Sequence, residues 1–243
     1  VSADNIFIFN TNFNGNVTSG NASGITATTS SSNTSFGLYF GGKGSATTTL
    51  GAITSETADA ALTGTTINNI VIDNITVNQC ARGIVFNGAV PTVNSSLSIT
   101  NSVIGTAAVI SGHPVTVPAT TVYTKGIWVA GADNIFIGLN TIQNILSYVG
   151  TTVAGIELAS NIGSGVNAVS DNTINGILNN AAVGTANGVL VSAAGSSFTI
   201  SGNTVSNVQS GAAAAVAGIN IATNGAAAVV SKNKVSGIYN RNA

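Results

Sequence analysis

Apolar residues recur along this chain at fixed places inside a repeated nine-residue segment. Four copies align without gaps, with starts 32, 31 and 30 residues apart, at Ile137, Val169, Ile200 and Val230. Three weaker copies begin at Ile8, Ile72 and Ile99. In the four best copies the first, sixth and ninth residues are apolar and the fourth is Asn. Side chains on one face of a strand are an even number of residues apart, so these odd steps predict short strands separated by bends.

The Asn at the fourth position indicates where the chain turns. Asn tolerates the left-handed backbone region and bonds nearby backbone groups, so we expect it to form the first corner. Turn dipeptides such as Asn175-Gly176 at the seventh and eighth positions predict a second corner. Corners repeating about every 30 residues predict a parallel β-solenoid, in which equivalent residues of successive coils stack about 4.8 Å apart. One predicted stack is an inward Asn ladder formed by Asn140, Asn172, Asn203 and Asn233.

A second motif alternates with the first and consists of Gly, an aliphatic residue, a variable residue and an apolar residue. Its copies begin at Gly37, Gly83, Gly126, Gly155, Gly188 and Gly218. If the residues beside the variable position point inward, the variable residue points outward. The outward residues form a candidate contact strip for sugar rings or another protein domain, unless insertion loops fold over it: Tyr39, Val85, Trp128, Glu157, Leu190 and Asn220.

Together the two motifs resemble those of the right-handed parallel β-helix superfamily, the pectin-lyase-like fold. The resemblance covers nearly the whole chain and implies an all-β fold, a single-domain right-handed parallel β-helix of about seven to eight coils over residues 1–243. Residues 41–66 are predicted to be a low-complexity insertion or irregular coil, and residues 106–124 a loop. The superfamily contains polysaccharide lyases, glycosidases, phage tailspikes, adhesins and surface proteins, so the fold alone does not select a function.

Charged residues are scarce, which excludes several classes of function. The chain has 6 Lys+Arg and 7 Asp+Glu, a formal net charge of −1, and is 5% charged. Nucleic-acid binding needs a dense basic patch, so we expect no nucleic-acid partner. No apolar run is long enough for a transmembrane helix, and we expect no membrane insertion. A surface of Asn, Thr, Ser and Gly is typical of exported bacterial surface proteins and predicts an extracellular or cell-surface location.

Residues suited to catalysis do not cluster, and no catalytic residue is predicted. The superfamily's multi-Asp motifs with His and Arg have no counterpart here, and the acids are too scattered for a metal site or a cofactor. The single histidine, His113, has no acid near it in sequence and is interpreted as a loop residue. Cys80 falls at the inward ninth position, which predicts a buried small hydrophobe. The scattered acids are Asp4, Glu56, Asp59, Asp73, Asp133, Glu157 and Asp171.

Two basic residues, Arg82 and Lys125, each precede the Gly of a second-motif strand. If the coils stack, they share one rim of the rod. This rim is either an anion-binding edge or a pair of solubilising surface charges.

Three functional hypotheses follow. The preferred one is a non-catalytic structural or adhesive module of an exported bacterial cell-surface or secreted protein, with a rigid face for a partner or glycan. Because no cap is evident at either end of the repeats, we expect other protein domains or subunits to cover the solenoid ends, with the chain forming part of a longer protein or assembly. The alternatives are a polysaccharide-active lyase or hydrolase, and an ice- or surface-binding solenoid. The last needs a regular Thr array, and no outward position carries Thr in every coil.

Overall fold

The structure is a computed structural model that describes residues 3–14, 36–41, 67–88, 96–105, 124–147, 152–160, 162–181, 183–193, 197–211, 213–223 and 227–241. These residues form twenty β-strands, with no helix among them. In chain order the strands are β1 Ala3–Phe9, β2 Asn12–Asn14, β3 Phe36–Gly41, β4 Ile67–Asp73, β5 Thr76–Asn78, β6 Arg82–Asn87, β7 Leu97–Thr100, β8 Val103–Ile104, β9 Lys125–Ala130, β10 Ile135–Gly138, β11 Thr141–Ser147, β12 Val153–Leu158, β13 Asn167–Ser170, β14 Thr173–Asn179, β15 Ala186–Val191, β16 Phe198–Ser201, β17 Thr204–Ser210, β18 Val216–Ile221, β19 Ala228–Ser231 and β20 Lys234–Asn240.

Every third strand pairs in parallel, so the strands form three sheets. Sheet A contains β1, β4, β7, β10, β13, β16 and β19; sheet B contains β2, β5, β8, β11, β14, β17 and β20; sheet C contains β3, β6, β9, β12, β15 and β18. Three consecutive strands, one from each sheet, make one coil. The described strands therefore make seven coils, of which coil 7 consists of β19 and β20. The predicted all-β parallel solenoid is confirmed.

The register of sheet A confirms the alignment of the first motif. Across the seven strands, the first residues of the seven segments are successive Cα partners, and these are Ile8, Ile72, Ile99, Ile137, Val169, Ile200 and Val230. Even the weak early copies occupy the predicted place. Sequence separation between coils varies, but the inward residues remain stacked because like apolar side chains pack on one another.

The core is the column of inward residues inside the rod. Ile142, Ile174 and Val205 stack in sheet B and are fully buried. The next member of this column, Val235 in coil 7, is exposed, since no described coil follows it. Burial of aliphatic side chains stabilises each inner coil by about 1.5–3 kcal/mol per side chain.

The inward Asn ladder is confirmed. Asn172 Oδ1 accepts hydrogen bonds from the backbone N–H and the Nδ2 of Asn140, both at 3.0 Å. Asn172 Nδ2 donates to Asn203 Oδ1 at 2.9 Å and to the Ile137 carbonyl at 2.9 Å. Asn203 repeats the pattern with Asn233. The amides of Asn140, Asn172 and Asn203 therefore each join their own coil to both neighbours.

The expectation that this Asn itself adopts the left-handed conformation is wrong. The left-handed residue is the one before it, at the third position of the segment, with φ between 49° and 69° in all seven coils: Asn10, Asn74, Asn101, Leu139, Asp171, Gly202 and Lys232. The third residue turns the chain, and the Asn that follows then points into the coil, where its amide reaches both neighbouring coils.

In coils 4 to 7 the second corner lies within the sheet B strands rather than between strands, whereas in coil 2 it follows the end of β5. The eighth residue of the segment is left-handed in five coils, at Gln79, Asn144, Gly176, Asn207 and Gly237. In β11 this bend moves the ninth residue, Ile145, to the inward face without ending the strand. The turn dipeptides therefore mark an in-strand bend that coils 4 to 7 share.

Close approach of coils explains the glycine of the second motif. A Cβ on Gly155 would lie 2.7 Å from the Gly188 carbonyl oxygen and 2.8 Å from Ile174 Cγ2. A Cβ on Gly126 would meet the Gly155 carbonyl oxygen at 2.5 Å in the same way. Only a residue without a side chain fits between these coils.

Some expectations concern segments outside the described residues. These segments are the insertion predicted at residues 41–66 and the loop predicted at residues 106–124, which includes His113. Only Gly41 and Thr124, one residue of each segment, are described. Within the part of the chain that the structure describes, no helix has the length and apolarity needed to cross a membrane.

Candidate contact faces of the rod

The predicted contact strip forms one continuous stack on the outer side of sheet C. Adjacent members are Cα partners from coil 1 to coil 6, in the order Tyr39, Val85, Trp128, Glu157, Leu190 and Asn220. They lie outside the main core, as the alternation predicts. The stacking of the strip is therefore confirmed, and its contact role stays a prediction.

The strip is not the solvent-exposed surface that the sequence suggested. Val85, Trp128, Glu157 and Leu190 are at most 9% exposed, and Tyr39 and Asn220 are half-buried. Two of these buried residues, Val85 and Trp128, belong to a second, smaller apolar cluster on the outside of sheet C. It contains four buried residues and two partly buried aromatic residues packed on them: Val85, Trp128, Ala130, Ala159, Phe36 and Tyr39.

Charged side chains are buried on the same outer side of sheet C. Lys125 Nζ donates to Glu157 Oε2, and both side chains are nearly buried. Arg82 is the Cα partner of Lys125, and its guanidinium lies 5.4 Å from the centre of the Phe36 ring. Arg82 and Lys125 do share one rim, but neither hypothesis about the rim holds. They are not solubilising surface charges, because both are buried, and Glu157 already neutralises Lys125.

The exposed face of the rod is instead the outer side of sheet A. One outward column runs through all seven strands, and its members are Phe7, Val71, Ser98, Phe136, Ala168, Thr199 and Val229. Phe7 is 54% exposed, Phe136 41% and Val229 59%. Large apolar residues exposed on one sheet make its outer side the candidate contact surface.

Polar groups flank this apolar column. Phe9 stacks on Phe7, with ring centres 6.1 Å apart. In the column beside them, Asp73 accepts hydrogen bonds from Thr100 Oγ1 and Asn101 Nδ2, both at 2.7 Å. The hydrogen bond from Thr100, followed by that from Asn101, lowers the pKa of the Asp73 carboxyl below its usual value. The outer face of sheet A thus combines exposed rings with hydroxyl, amide and carboxylate groups.

An open groove of about 480 Å³ lies at the start of the sheet A strands in the later coils. Its lining includes Asn134, Val166, Phe198, Thr199 and Val229. This volume lies within the usual range for ligand pockets. The described residues that line it include no acid or base, so the groove is suited to binding an uncharged group rather than to acid–base catalysis.

The outer side of sheet B carries part of a Thr column. Thr76, Thr141, Thr173 and Thr204 occupy the same outward position, and Val103 interrupts them in coil 3. As the sequence predicts, Thr is not present in every coil. The same position carries Asn12 in coil 1 and Lys234 in coil 7, so four of its seven members are Thr.

Residues with reactive or ligating groups are dispersed elsewhere. Cys80 is fully buried, as predicted, and burial raises the pKa of its thiol to about 12, against a smaller lowering by a backbone hydrogen bond from Gly37. Asp133 Oδ1 accepts from the backbone N–H groups of Asn134 and Gly165, so it serves a corner of the chain. Among the residues described, no group of three or more His, Cys, Asp or Glu side chains is placed to hold a metal ion.

Comparisons with protein-family models, with curated proteins and with solved structures find no match to this chain.

Proposed function

We propose that this chain is a non-catalytic structural or adhesive module that presents the outer face of sheet A to an uncharged partner, for which a neutral glycan surface is the best fit. The carrying observation is that one outward column of the seven-stranded parallel sheet A exposes three large apolar residues, Phe7, Phe136 and Val229. Aromatic rings such as Phe7 and Phe136 stack on the apolar faces of sugar rings, while the flanking hydroxyl and amide groups bond sugar hydroxyls.

The construction of the rod supports a binding role for this face. Three sheets and the Asn ladder fix each strand of sheet A against its neighbours, so the face is organised before a partner arrives. A surface that is already ordered loses little conformational entropy on binding. The groove beside Phe198 adds a concave element to the otherwise flat face.

The test is binding of the purified chain to a panel of insoluble neutral polysaccharides. Replacing Phe136 by Ala is expected to weaken binding about tenfold, the equivalent of about 1.4 kcal/mol from one stacked ring. Tyr239→Ala is the matched control, because Tyr239 is a similarly exposed aromatic residue on sheet B. If Phe136→Ala and Tyr239→Ala bind the polysaccharides equally well, sheet A is not the binding face. If the chain binds a protein partner and no polysaccharide, the partner is a protein rather than a glycan.

We further propose an extracellular or cell-surface location and the right-handed winding of the pectin-lyase-like superfamily. The uncharged Asn, Thr, Ser and Gly surface supports the first. The three-sheet coil supports the second, because parallel crossovers are right-handed in nearly all proteins. An experimental density map would test the winding directly, and fractionation of the producing cells would test the location.

A polysaccharide-active enzyme is the competing function, and it has its own assay. The buried Lys125–Glu157 pair is the one described place where oppositely charged side chains meet away from bulk water. Incubation with acidic and neutral polysaccharides, followed by measurement of unsaturated or reducing ends, should show no turnover. Clear turnover that is lost in Glu157→Gln or Asp171→Asn would overturn the non-catalytic assignment.

The Thr column of sheet B favours one further candidate, binding to an ordered surface such as ice. Its four Thr residues repeat at the strand spacing of about 4.8 Å wherever they are adjacent. Thermal hysteresis that is lost in Thr173→Leu would support this function over adhesion through sheet A.

A further inference from the structure

We infer that Phe136, Gly138 and Leu139 of coil 4 form a subsite, the coil 4 subsite, for one pyranose ring without axial hydroxyls in a neutral glycan. The inference rests on the proposed function of sheet A. It adds to that function the coil where a sugar ring is recognised and the residues that orient the stacking surface.

The ring of Phe136 lies over Gly138, two residues further along the outer side of β10. A Cβ on Gly138 would lie 2.6 Å from Cζ and 2.8 Å from Cε1 of this ring. Gly138 is buried on the outer side of the sheet, while Phe136 remains 41% exposed. One side of the ring therefore packs on the glycine backbone, and the other side is open to solvent.

Coil 1 shows a different ring arrangement where the glycine position carries a side chain. Phe9 is the member of the Gly138 column in coil 1. Phe7 stacks on Phe9 there, with ring centres 6.1 Å apart, so it turns one face towards another ring instead of towards the backbone. Glycine inside a strand often marks the close approach of another group, and at Gly138 that group is the Phe136 ring. Gly138 is therefore a positioning residue for this ring.

Small uncharged side chains surround the ring in the adjacent coils. The neighbours of Phe136 and Gly138 in their two columns are Ser98, Ala168, Thr100 and Ser170. Thr100 Oγ1 donates its hydrogen to Asp73 Oδ1 at 2.7 Å, so its lone pairs can accept from a sugar hydroxyl. On the other side, Ser170 Oγ lies 3.2 Å from Ser201 Oγ, and such a hydroxyl pair both donates and accepts. A ring surface with hydroxyls on two sides matches a sugar, which has C–H faces and hydroxyls around its edge.

Leu139 is a second unusual residue in the same coil. It follows Gly138 at the corner, has φ 60°, and is 57% exposed. Five of the seven coils have Asn, Asp or Gly at this position, the types that adopt positive φ most readily. A left-handed leucine is strained, and backbone strain concentrates at binding sites. Because folding alone favours Asn here, the exposed leucine indicates a role in binding, in which it extends the apolar surface beyond Gly138.

These features favour a sugar over a protein partner. The centre of a protein interface is a contiguous apolar patch, whereas Phe136 and Leu139 have small and hydroxyl-bearing side chains beside them. The uncharged neighbours favour a neutral ligand over an acidic one. The Phe136 ring has no hydrogen-bonding group, so a hydroxyl directed at it would lose its water without replacement. A pyranose without axial hydroxyls avoids this cost, because it presents C–H groups on both faces.

The test is a double-mutant cycle on the binding of cellohexaose, a neutral oligosaccharide without axial hydroxyls, measured by titration calorimetry. Gly138→Ala keeps the Phe136 ring but displaces it, because the atoms nearest to the new Cβ are at the far end of that side chain. We expect Gly138→Ala and Phe136→Ala each to weaken binding about tenfold, and the double variant to weaken it by the same factor of about ten.

Two controls accompany the cycle. Gly41→Ala is the matched variant, because the Tyr39 ring lies over Gly41 on sheet C in the same way, with Cζ 2.7 Å from the position of a Cβ. It should bind cellohexaose as the wild type does. Mannohexaose, which has an axial hydroxyl on every ring, should bind the wild type about tenfold more weakly than cellohexaose.

Leu139→Asn separates binding from folding. It should raise the midpoint of urea unfolding, because Asn tolerates the left-handed region better than Leu, and it should weaken cellohexaose binding about threefold. A purely structural Leu139 would give the opposite result, a lower midpoint with unchanged binding.

The outcomes that overturn the coil 4 subsite differ from those that overturn the proposed function. Full binding by Gly138→Ala, or a loss of about a hundredfold in the double variant, would remove the subsite and leave sheet A as the binding face. Preference for mannohexaose, or binding of neutral polysaccharides without binding of cellohexaose, would do the same. If the wild type binds no neutral polysaccharide, both proposals are wrong. Should Gly138→Ala fail to fold by circular dichroism, Leu139→Asn decides, and unchanged binding by that variant would remove the subsite.

Discussion

Replacement of Asn172 by Ala should remove one step of the ladder and destabilise the middle of the rod. The Asn172 side chain is nearly fully buried and takes part in hydrogen bonds with the coils on both sides. In the Ala variant the backbone N–H of Asn140 loses its acceptor in a buried place, which costs about 1–3 kcal/mol. The loss of two further net hydrogen bonds, to Asn203 and to the Ile137 carbonyl, costs about 1 kcal/mol each. We therefore expect a total loss of about 3–5 kcal/mol.

Two further variants bracket this value. Asn172→Ser should lose about half as much, because the chain already uses Ser102 at a ladder position, where its hydroxyl accepts from the preceding coil. Asn175→Ala is the surface control. Asn175 Oδ1 accepts from Ser206 Oγ at 3.1 Å and from Asn207 Nδ2 at 2.7 Å on the outer side of sheet B, where water replaces the lost bonds. Its loss should be below about 1 kcal/mol.

Equilibrium unfolding in urea measures these differences. The transition midpoint should fall in the order wild type, Asn175→Ala, Asn172→Ser, Asn172→Ala, with the slope unchanged, since the surface exposed on unfolding is the same. A changed slope would mean that the coils unfold separately. If Asn172→Ala costs no more than Asn175→Ala, the ladder does not contribute to stability in the way that its geometry requires.

Three other predictions follow from single contacts. Lys125→Met leaves the Glu157 carboxylate buried without its cation and should lower the free energy of unfolding in urea by about 3–5 kcal/mol. Adding Glu157→Leu to the same chain should restore most of this loss. Additive effects of the two changes would contradict the pairing. Gly155→Ala places a Cβ 2.7 Å from the Gly188 carbonyl oxygen and should cost about 1–3 kcal/mol, so an unchanged melting temperature would contradict the close approach of these coils. The Cys80 thiol, whose pKa burial raises from 9.0 to about 12, stays protonated in the folded chain while the unfolded thiol ionises. The thiol's contribution to stability is therefore complete below pH 9 and should fall by about 1.4 kcal/mol per pH unit from there towards pH 12. Urea unfolding at several pH values should show this slope in the wild type and not in Cys80→Ala. If both proteins lose stability equally with rising pH, the slope does not come from the thiol.

The coil stacking was predictable because it depends on inward residues alone. Each coil contacts its nearest neighbours, so the apolar positions must recur in every coil, and the offsets between them record the bends. The ladder followed for the same reason, since an amide that bonds its own kind must recur at one position. Even Ile8, in a weak copy, could be placed because Ile72 and Ile99 lie above it in register.

The left-handed corner residue was assigned one position too late. The fourth residue is Asn in all four best copies, which drew attention to it, but that uniformity reflects the ladder. The third residue is more varied, yet in five of the seven coils it is Asn, Asp or Gly, the types that adopt positive φ most readily. Leu139 and Lys232 interrupt the pattern of Asn, Asp and Gly at the third position, because neither residue type favours the left-handed region.

Exposure of the outer faces could not be predicted from the alternation, which states only that a residue points away from the core. Whether another layer packs there depends on residues far along the chain. A signal was nevertheless present in composition. The sheet C column contains Val85, Trp128 and Leu190, as a covered surface would, whereas the sheet A column places the polar residues Ser98 and Thr199 among its large apolar residues.

Differences between coils, rather than their common features, are therefore the place to look for function. The inward columns of this chain are nearly uniform, and a uniform column stabilises the rod without distinguishing one coil from another. Phe136 stands out among small residues on sheet A, and the Lys125–Glu157 pair stands out in a chain with few charges. The concentration of bases in coil 7 is the third departure from uniformity. Because the stacked core requires none of these three features, selection for something other than folding is the simplest reason for their presence. The binding and turnover experiments address the first two.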